Sequence, residues 1–294
     1  MKTYKELEQE NFVLVNNHWF NQQYQENYGI ESVLILSIIQ KNKLIRGSCL
    51  FSIDYLLDCL GFTKGNTRQV RIIKNCLIAL QVGNVITSNT DLSTIKNSDL
   101  VHVDVNVSTD DYTIVYDFEL DTILDYEQEN TYNLYYLFAF LKYRINPDTK
   151  VMYWNQSSIA KAVGLKTRKT VSKYTNILQN LGLIKYKNPG QRVFEDGSTK
   201  QSNYIYAMNY EDADVVIGKA LTFYGNKLKE DNIRLEKAET ADDKRSMAAY
   251  KNHRLKKYHD GTITEQELVE LAYYEEEYYK LIKNDSDADE HIAK

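Results

Sequence analysis

Ser32 opens a pattern of elements that the chain lays down a second time about a hundred residues later, and such repetition restricts the fold to one supersecondary unit used twice. In the first copy SVLILSIIQKN, from Ser32, reads as an apolar helix, and CLF, from Cys49, as a short strand. SIDYLLDCLGF, from Ser52, then reads as a second helix ending at Gly61. In the second copy NLYYLFAFLKYRI, from Asn133, is the helix, VMYW, from Val151, the strand, and NQSSIAKAVGL, from Asn155, the helix ending at Gly164. Ser52 and either Asn155 or Ser157 suit the N-cap, because their side-chain oxygens accept the free amides of the first turn. Gly61 and Gly164 suit the left-handed position just past a helix end.

A third helix follows in each copy. Its apolar residues coincide when the numbering is shifted by 101, pairing Val70 with Val171, Ile73 with Tyr174, Leu77 with Leu178 and Leu80 with Leu181. Spacings of three and four put these residues on one buried stripe. Left facing outward are Thr67, Arg68, Arg71 and Lys74 in the first copy, with Lys64 in the preceding turn. The outward set in the second copy is Arg168, Lys169, Ser172, Lys173 and Asn176, with Lys166 and Thr167 in the turn.

Each third helix is followed by strand signals. LIKYKN from Leu183 reads as a strand, the stretch from Pro189 through Gly197 to Lys200 as a polar loop, and NYIYAM from Asn203 as the returning strand. In the first copy NVITS from Asn84 leads through a longer loop carrying Asp91 and Asp99 to LVHVDVNV, after which TIVYDF from Thr113 adds a further strand. Helix, strand, helix, turn, helix and hairpin is the order of a winged helix-turn-helix. The expected fold class is α+β and helix-rich, with two tandem winged helix-turn-helix domains over 1–126 and 127–210. A C-terminal helical region over 211–283 and a disordered tail over 284–294 are expected to follow.

Charge segregates with this pattern. Lys161, Lys166, Arg168, Lys169, Lys173, Lys185, Lys187 and Arg192 fall between Trp154 and Phe194 without one Asp or Glu among them, in a chain whose net charge is −5. A uniformly acidic surface repels phosphate, so nucleic acid has to be met by local patches. The outward faces of both third helices, with Lys185, Lys187 and Arg192 after the second, form such patches, and the expected partner is double-stranded DNA. The first copy has an acidic hairpin, which makes the second the stronger expected binder.

The segment LYYLFAFLKYRINPDTKVMYWNQSSIAKAVGLKTRKTVSKYTNILQNLGLIKY, ending at Tyr186, resembles the winged-helix domains of phage replisome organisers, DnaD-type primosome proteins and plasmid replication initiators of Gram-positive bacteria. The aromatic first helix, SIAKAVGL, TRKTVSKY and LQNLGLI carry the likeness. The resemblance implies a replication initiator or organiser of a plasmid, phage or mobile element, which binds repeated origin sites and recruits replication proteins such as a helicase or helicase loader. Transcriptional regulators share the same features, so an operator-binding regulator is the alternative.

From Glu211 onward acidic residues outnumber basic ones and Pro is absent, which predicts long helices. Leu221, Tyr224, Leu228, Ile233 and Leu235 form a partial apolar stripe, and Leu268, Leu271, Ala272, Tyr278, Leu281 and Ile282 a second. Thr262 or Thr264 would open the latter, with Glu267 completing a capping box. These helices read either as a homodimer or partner-binding module or as packing for the second domain. Lys251, Arg254, Lys256 and Lys257 read either as DNA-backbone contacts or as complements to a helix C-terminus.

Catalysis has little to stand on. Walker, nucleophile-elbow and H-E-x-x-H motifs are missing, and His18, His102, His253, His259 and His291 are scattered. Cys49, Cys59 and Cys76 lie among apolar residues without metal-ligand spacing, as buried thiols would. No enzyme activity, metal or cofactor is expected. No apolar run approaches the ~20 residues that span a bilayer and the N-terminus lacks a signal-peptide core, so a cytoplasmic protein with no membrane partner is expected.

Overall fold

The computed structural model of the protein describes residues 2–44, 47–106, 110–126, 130–236, 252–264, 267–268 and 271. The chain is α+β, with small antiparallel sheets among helices. It divides into two compact units. The first holds the described residues up to Lys187 together with Tyr204–Ala220, and the second those of Asn188–Asn203 and from Leu221 on.

In the first unit, helix α1 (Tyr4–Leu7), strand β1 (Phe12–Asn16) and helix α2 (Gln22–Tyr28) precede the repeat. The first copy runs α3 (Glu31–Lys41), β2 (Cys49–Phe51), α4 (Ile53–Cys59), α5 (Thr67–Val82), β3 (Ile86–Thr87) and β4 (Val101–Val105). Strand β5 (Tyr112–Tyr116) and helix α6 (Asp117–Leu124) connect it to the second copy. That copy runs α7 (Thr131–Arg144), β6 (Met152–Trp154), α8 (Gln156–Ala162), α9 (Arg168–Asn180) and β7 (Ile184–Lys187). The chain then passes through β8 (Gln191–Val193) and β9 (Thr199–Gln201), returns as β10 (Tyr204–Met208) and enters α10 (Ala213–Glu230) and β11 (Arg234–Glu236).

The two copies share a sheet topology. Strand order is β2-β4-β3 in the first and β6-β10-β7 in the second, so the returning strand lies in the middle each time. Their helix ends also match. The Ser52 side chain accepts the Tyr55 amide (3.1 Å) and the Asn155 side chain the Ser158 amide (2.8 Å), which selects Asn155 over Ser157 as the cap. Gly61 and Gly164 take φ of 71° and 68°, and the next residues close the turn with Phe62 N–H to Leu57 C=O and Leu165 N–H to Ala160 C=O, both 2.9 Å. A side chain in that left-handed region costs roughly 1 to 2 kcal/mol, which is why glycine occupies both positions.

One hydrophobic core runs through both copies, so the boundary expected at 126/127 lies inside a single compact unit. The physical reason is α7, whose residues from Thr131 to Leu141 are buried at every position but Asn133, on every side of the helix. Such a helix has no solvent face and must be covered all round. Part of the cover comes from the first copy. Tyr135 OH donates to Ser37 Oγ of α3 (2.7 Å), and Tyr132 OH to Gln69 Oε1 of α5 (3.1 Å). More comes from the N-terminal segment, where Tyr136 OH donates to the Trp19 carbonyl (2.8 Å) and Phe20 stacks on Tyr143 at 5.2 Å.

Two strands differ from expectation. TIVYDF joins none of the three-stranded sheets; as β5 it pairs with β1, Val13 opposite Val115, in a separate two-stranded sheet. Val13, Val15 and Val115 are its buried face. Ile233 and Leu235, read as part of a helical stripe, lie beyond the end of α10. Asn232 takes φ of 56° and the Ile233 amide closes onto the Leu228 carbonyl (2.8 Å), turning the chain into β11.

In the second unit the expected loop from Pro189 to Lys200 is a hairpin of β8 and β9, closed by Phe194 N–H to Ser198 C=O (2.9 Å). Strand β11 adds to it in the order β11-β8-β9. Residues 252–259 are helical. The expected capping box uses Thr264, whose hydroxyl accepts the Glu267 amide (3.2 Å) while the Glu267 carboxylate accepts the Thr264 amide (3.1 Å). Lys251, Ala272, Tyr278, Leu281, Ile282 and the expected tail over 284–294 lie outside the described residues. Among the described residues no helix is long and apolar enough to cross a membrane.

Candidate nucleic-acid interface

Helix α9 begins at a Thr167 cap whose hydroxyl accepts the Thr170 amide (3.2 Å). Val171, Tyr174, Ile177 and Leu178 are buried, which turns Arg168, Lys169, Lys173 and Asn176 outward and leaves Ser172 half-buried. The first turn holds no acidic residue. A helix N-terminus carries partial positive charge and ordinarily attracts Asp or Glu, yet here Lys166, Arg168 and Lys169 crowd it. Among the described residues Lys166, Arg168, Lys169 and Lys187 are exposed and take part in no ion pair. Unneutralised cations around free backbone amides favour an anion at this end of the helix.

Strand β7 adds to this face unevenly. Lys187 is exposed, whereas the Lys185 ammonium is bonded to the Asp214 carboxylate of α10, so its charge is partly answered within the chain. Tyr186 lies between them in sequence, with its ring stacked on Tyr206 at 5.6 Å and its hydroxyl bonded to Asn176 Oδ1. Its amide also donates to Gln179 Oε1 (3.2 Å), so one strand residue holds two polar side chains of α9 in place. The outward stripe of α9 identified Asn176 but not its partner. Arg192 belongs to the second unit, where β8 sets it opposite Lys200 and Leu235 and its guanidinium lies 6.0 Å from the Phe194 ring.

The matching helix α5 is placed differently. Thr67, Arg68 and Arg71 are exposed, and Lys64 is exposed with its ammonium 4.0 Å from Asp58. Lys74, expected to face outward, is half-buried and donates to the Ile95 carbonyl (2.9 Å). The loop between β3 and β4, expected to project as a wing, lies back along α5. Leu92 and Ile95 are buried in the core, Gln81 donates to the Thr90 carbonyl (2.9 Å) and accepts the Leu92 amide (3.1 Å), and the Asp54 amide donates to the Asn97 carbonyl (2.9 Å). Two apolar residues three apart in a polar stretch anchor the loop, while its Asp91 and Asp99 stay exposed and accept hydrogen bonds from Ser93 and Lys96 of the same loop.

Comparison with protein-family models, with curated proteins and with solved structures finds no match to this chain.

Proposed function

We propose that the protein binds double-stranded DNA sequence-specifically, with the α7 to β10 region acting as a winged helix-turn-helix whose recognition helix is α9. The observation that carries this reading is the cationic start of α9, where Lys166, Arg168 and Lys169 stand exposed and unpaired around free helix amides. Support comes from the strand order β6-β10-β7 behind two successive helices, the order in which a winged helix presents its second helix to a major groove. In this reading Arg168 makes a bidentate contact to a base edge, and Lys169, Lys173 and Lys187 meet phosphates. The biological role that fits best is that of a replication initiator or replisome organiser binding repeated sites on its own element.

The test is selection of duplex DNA by the full-length protein from its own replicon, followed by anisotropy titration of the selected segment. Replacing Lys169 and Lys173 with Glu should weaken binding by about 1 to 3 kcal/mol for each cation replaced. Unchanged affinity in the folded double variant would remove α9 from the interface. Selection of repeated segments whose deletion abolishes replication supports the initiator role, whereas a single palindrome at a promoter points to an operator.

A further inference from the structure

Helix α5 carries a groove that α9 has no reason to share, because the loop between β3 and β4 forms one of its walls. The groove encloses about 350 Å³, enough for one or two large apolar side chains, with Val70 and Ile78 among its lining residues and Asn97 on the loop side. Lys64, Arg71 and Lys74 add three cations to the lining. The wall is fixed by the burial of Leu92 and Ile95 and by the hydrogen bond from Asp54 to the Asn97 carbonyl. Lys74 is held by the Ile95 carbonyl, so this cation sits at a set position while Lys64 and Arg71 stay exposed.

Duplex DNA is a poor match to this place. A phosphate backbone following α5 would also meet the exposed Asp58, which lies 4.0 Å from Lys64. Like charges at that range oppose a long polyanion, whereas a short ligand with one or two carboxylates need meet only the cations. An apolar floor with a cationic rim is complementary to an acidic helix that presents apolar residues three or four apart. We propose that this groove docks an acidic amphipathic helical segment of a partner protein, which sets an apolar side chain on Val70 and Ile78 and a carboxylate on Arg71. In this arrangement the first copy recruits a protein while DNA recognition rests on α9.

Short random peptides displayed on phage and selected on the full-length protein, with counter-selection on Ile78→Arg, test the proposal. Enriched peptides should carry acidic residues and Leu, Phe or Trp three or four positions apart, and should perturb the α5 amide resonances of the intact protein. Ile78→Arg should weaken them by about tenfold or more. Arg71 is exposed, so Arg71→Glu keeps the test valid even where Ile78→Arg fails to fold, and it should turn the preference from acidic to basic peptides. Peptides without acidic residues, perturbations that map elsewhere, or a duplex DNA that shifts the same amides and displaces the peptides would overturn the proposal. The Lys169→Glu, Lys173→Glu variant should keep full peptide affinity, which separates this result from any failure of DNA binding by α9.

Discussion

Glu119 and Lys142 form a 2.5 Å ion pair in the interior, with 1 % and 11 % of their side chains exposed. The carboxylate belongs to α6 and the ammonium to α7, so the pair joins the connection between the copies to the first helix of the second. Tyr210 OH donates to the other carboxylate oxygen (2.8 Å), the Tyr116 amide donates as well (2.9 Å), and the Tyr116 ring lies 4.4 Å from the ammonium. Burial pushes Lys142 below the ordinary lysine value, against the pull of Glu119 toward the charged form.

Removing one member of this pair should cost far more than removing both. Lys142→Met strands a buried carboxylate, and a loss of about 3 to 5 kcal/mol is expected in urea denaturation. Adding Glu119→Leu should recover most of that loss. A single variant as stable as the parent would mean that water reaches Glu119.

The start of α10 is expected to be structural. Ala213, Ile217 and Ala220 are buried, Tyr153 OH donates to the Ala220 carbonyl (3.4 Å), and Asp212 accepts from Tyr4 OH (2.8 Å) and Lys150 (2.7 Å). Ile217→Ala should lower stability by about 2 to 5 kcal/mol, and a chain cut after Tyr210 should melt well below the intact protein. Equal melting temperatures would return this segment to a purely external role.

The thiols should be inert in the folded protein. Burial pushes Cys76 up to about 11 from 9.0 and raises Cys49 and Cys59 as well, so little nucleophilic thiolate exists near neutral pH. Alkylation should therefore be slow until the chain unfolds. The sign of the linkage follows from the raised folded value: the stability due to Cys76 is complete below about 9 and is lost as pH rises toward about 11. Melting curves of the parent and of Cys76→Ala across that window should differ in slope, and parallel slopes would contradict it.

Phosphate and base contacts around the start of α9 should separate by their dependence on salt and sequence. Lys166→Ala should weaken all duplexes alike and reduce the salt slope by about one unit, while Arg168→Ala should cost about 1 to 3 kcal/mol on the selected site and relax preference at one base pair. A uniform loss in both variants would demote Arg168 to a backbone contact.

The features legible in the sequence are those set by neighbours along the chain. Caps at Ser52 and Asn155, glycines at 61 and 164, and the stripe from Val171 to Leu178 each follow from spacings within a turn or two. The unit boundary was not legible, because a helix apolar all round, such as Tyr132 to Leu141, shows that it is covered without showing by what. Pairing of Phe12 with Tyr116 joins strands about a hundred residues apart and has no local signal. At the candidate interface, the exposed Arg168 and Lys169 followed from helical periodicity. The capture of Lys74 by Ile95 and of Lys185 by Asp214 depends on segments that return from elsewhere.

The shared core also bears on how such a protein can change over generations. Tyr135 of one copy needs Ser37 of the other, and Tyr132 needs Gln69, so neither half retains its interior when separated from its sibling. Recombination that exchanges one half for a distant counterpart would break those hydrogen bonds and open voids beside α3 and α7. The two copies are thus bound to a common lineage, and their surfaces are free to diverge only where the core does not reach.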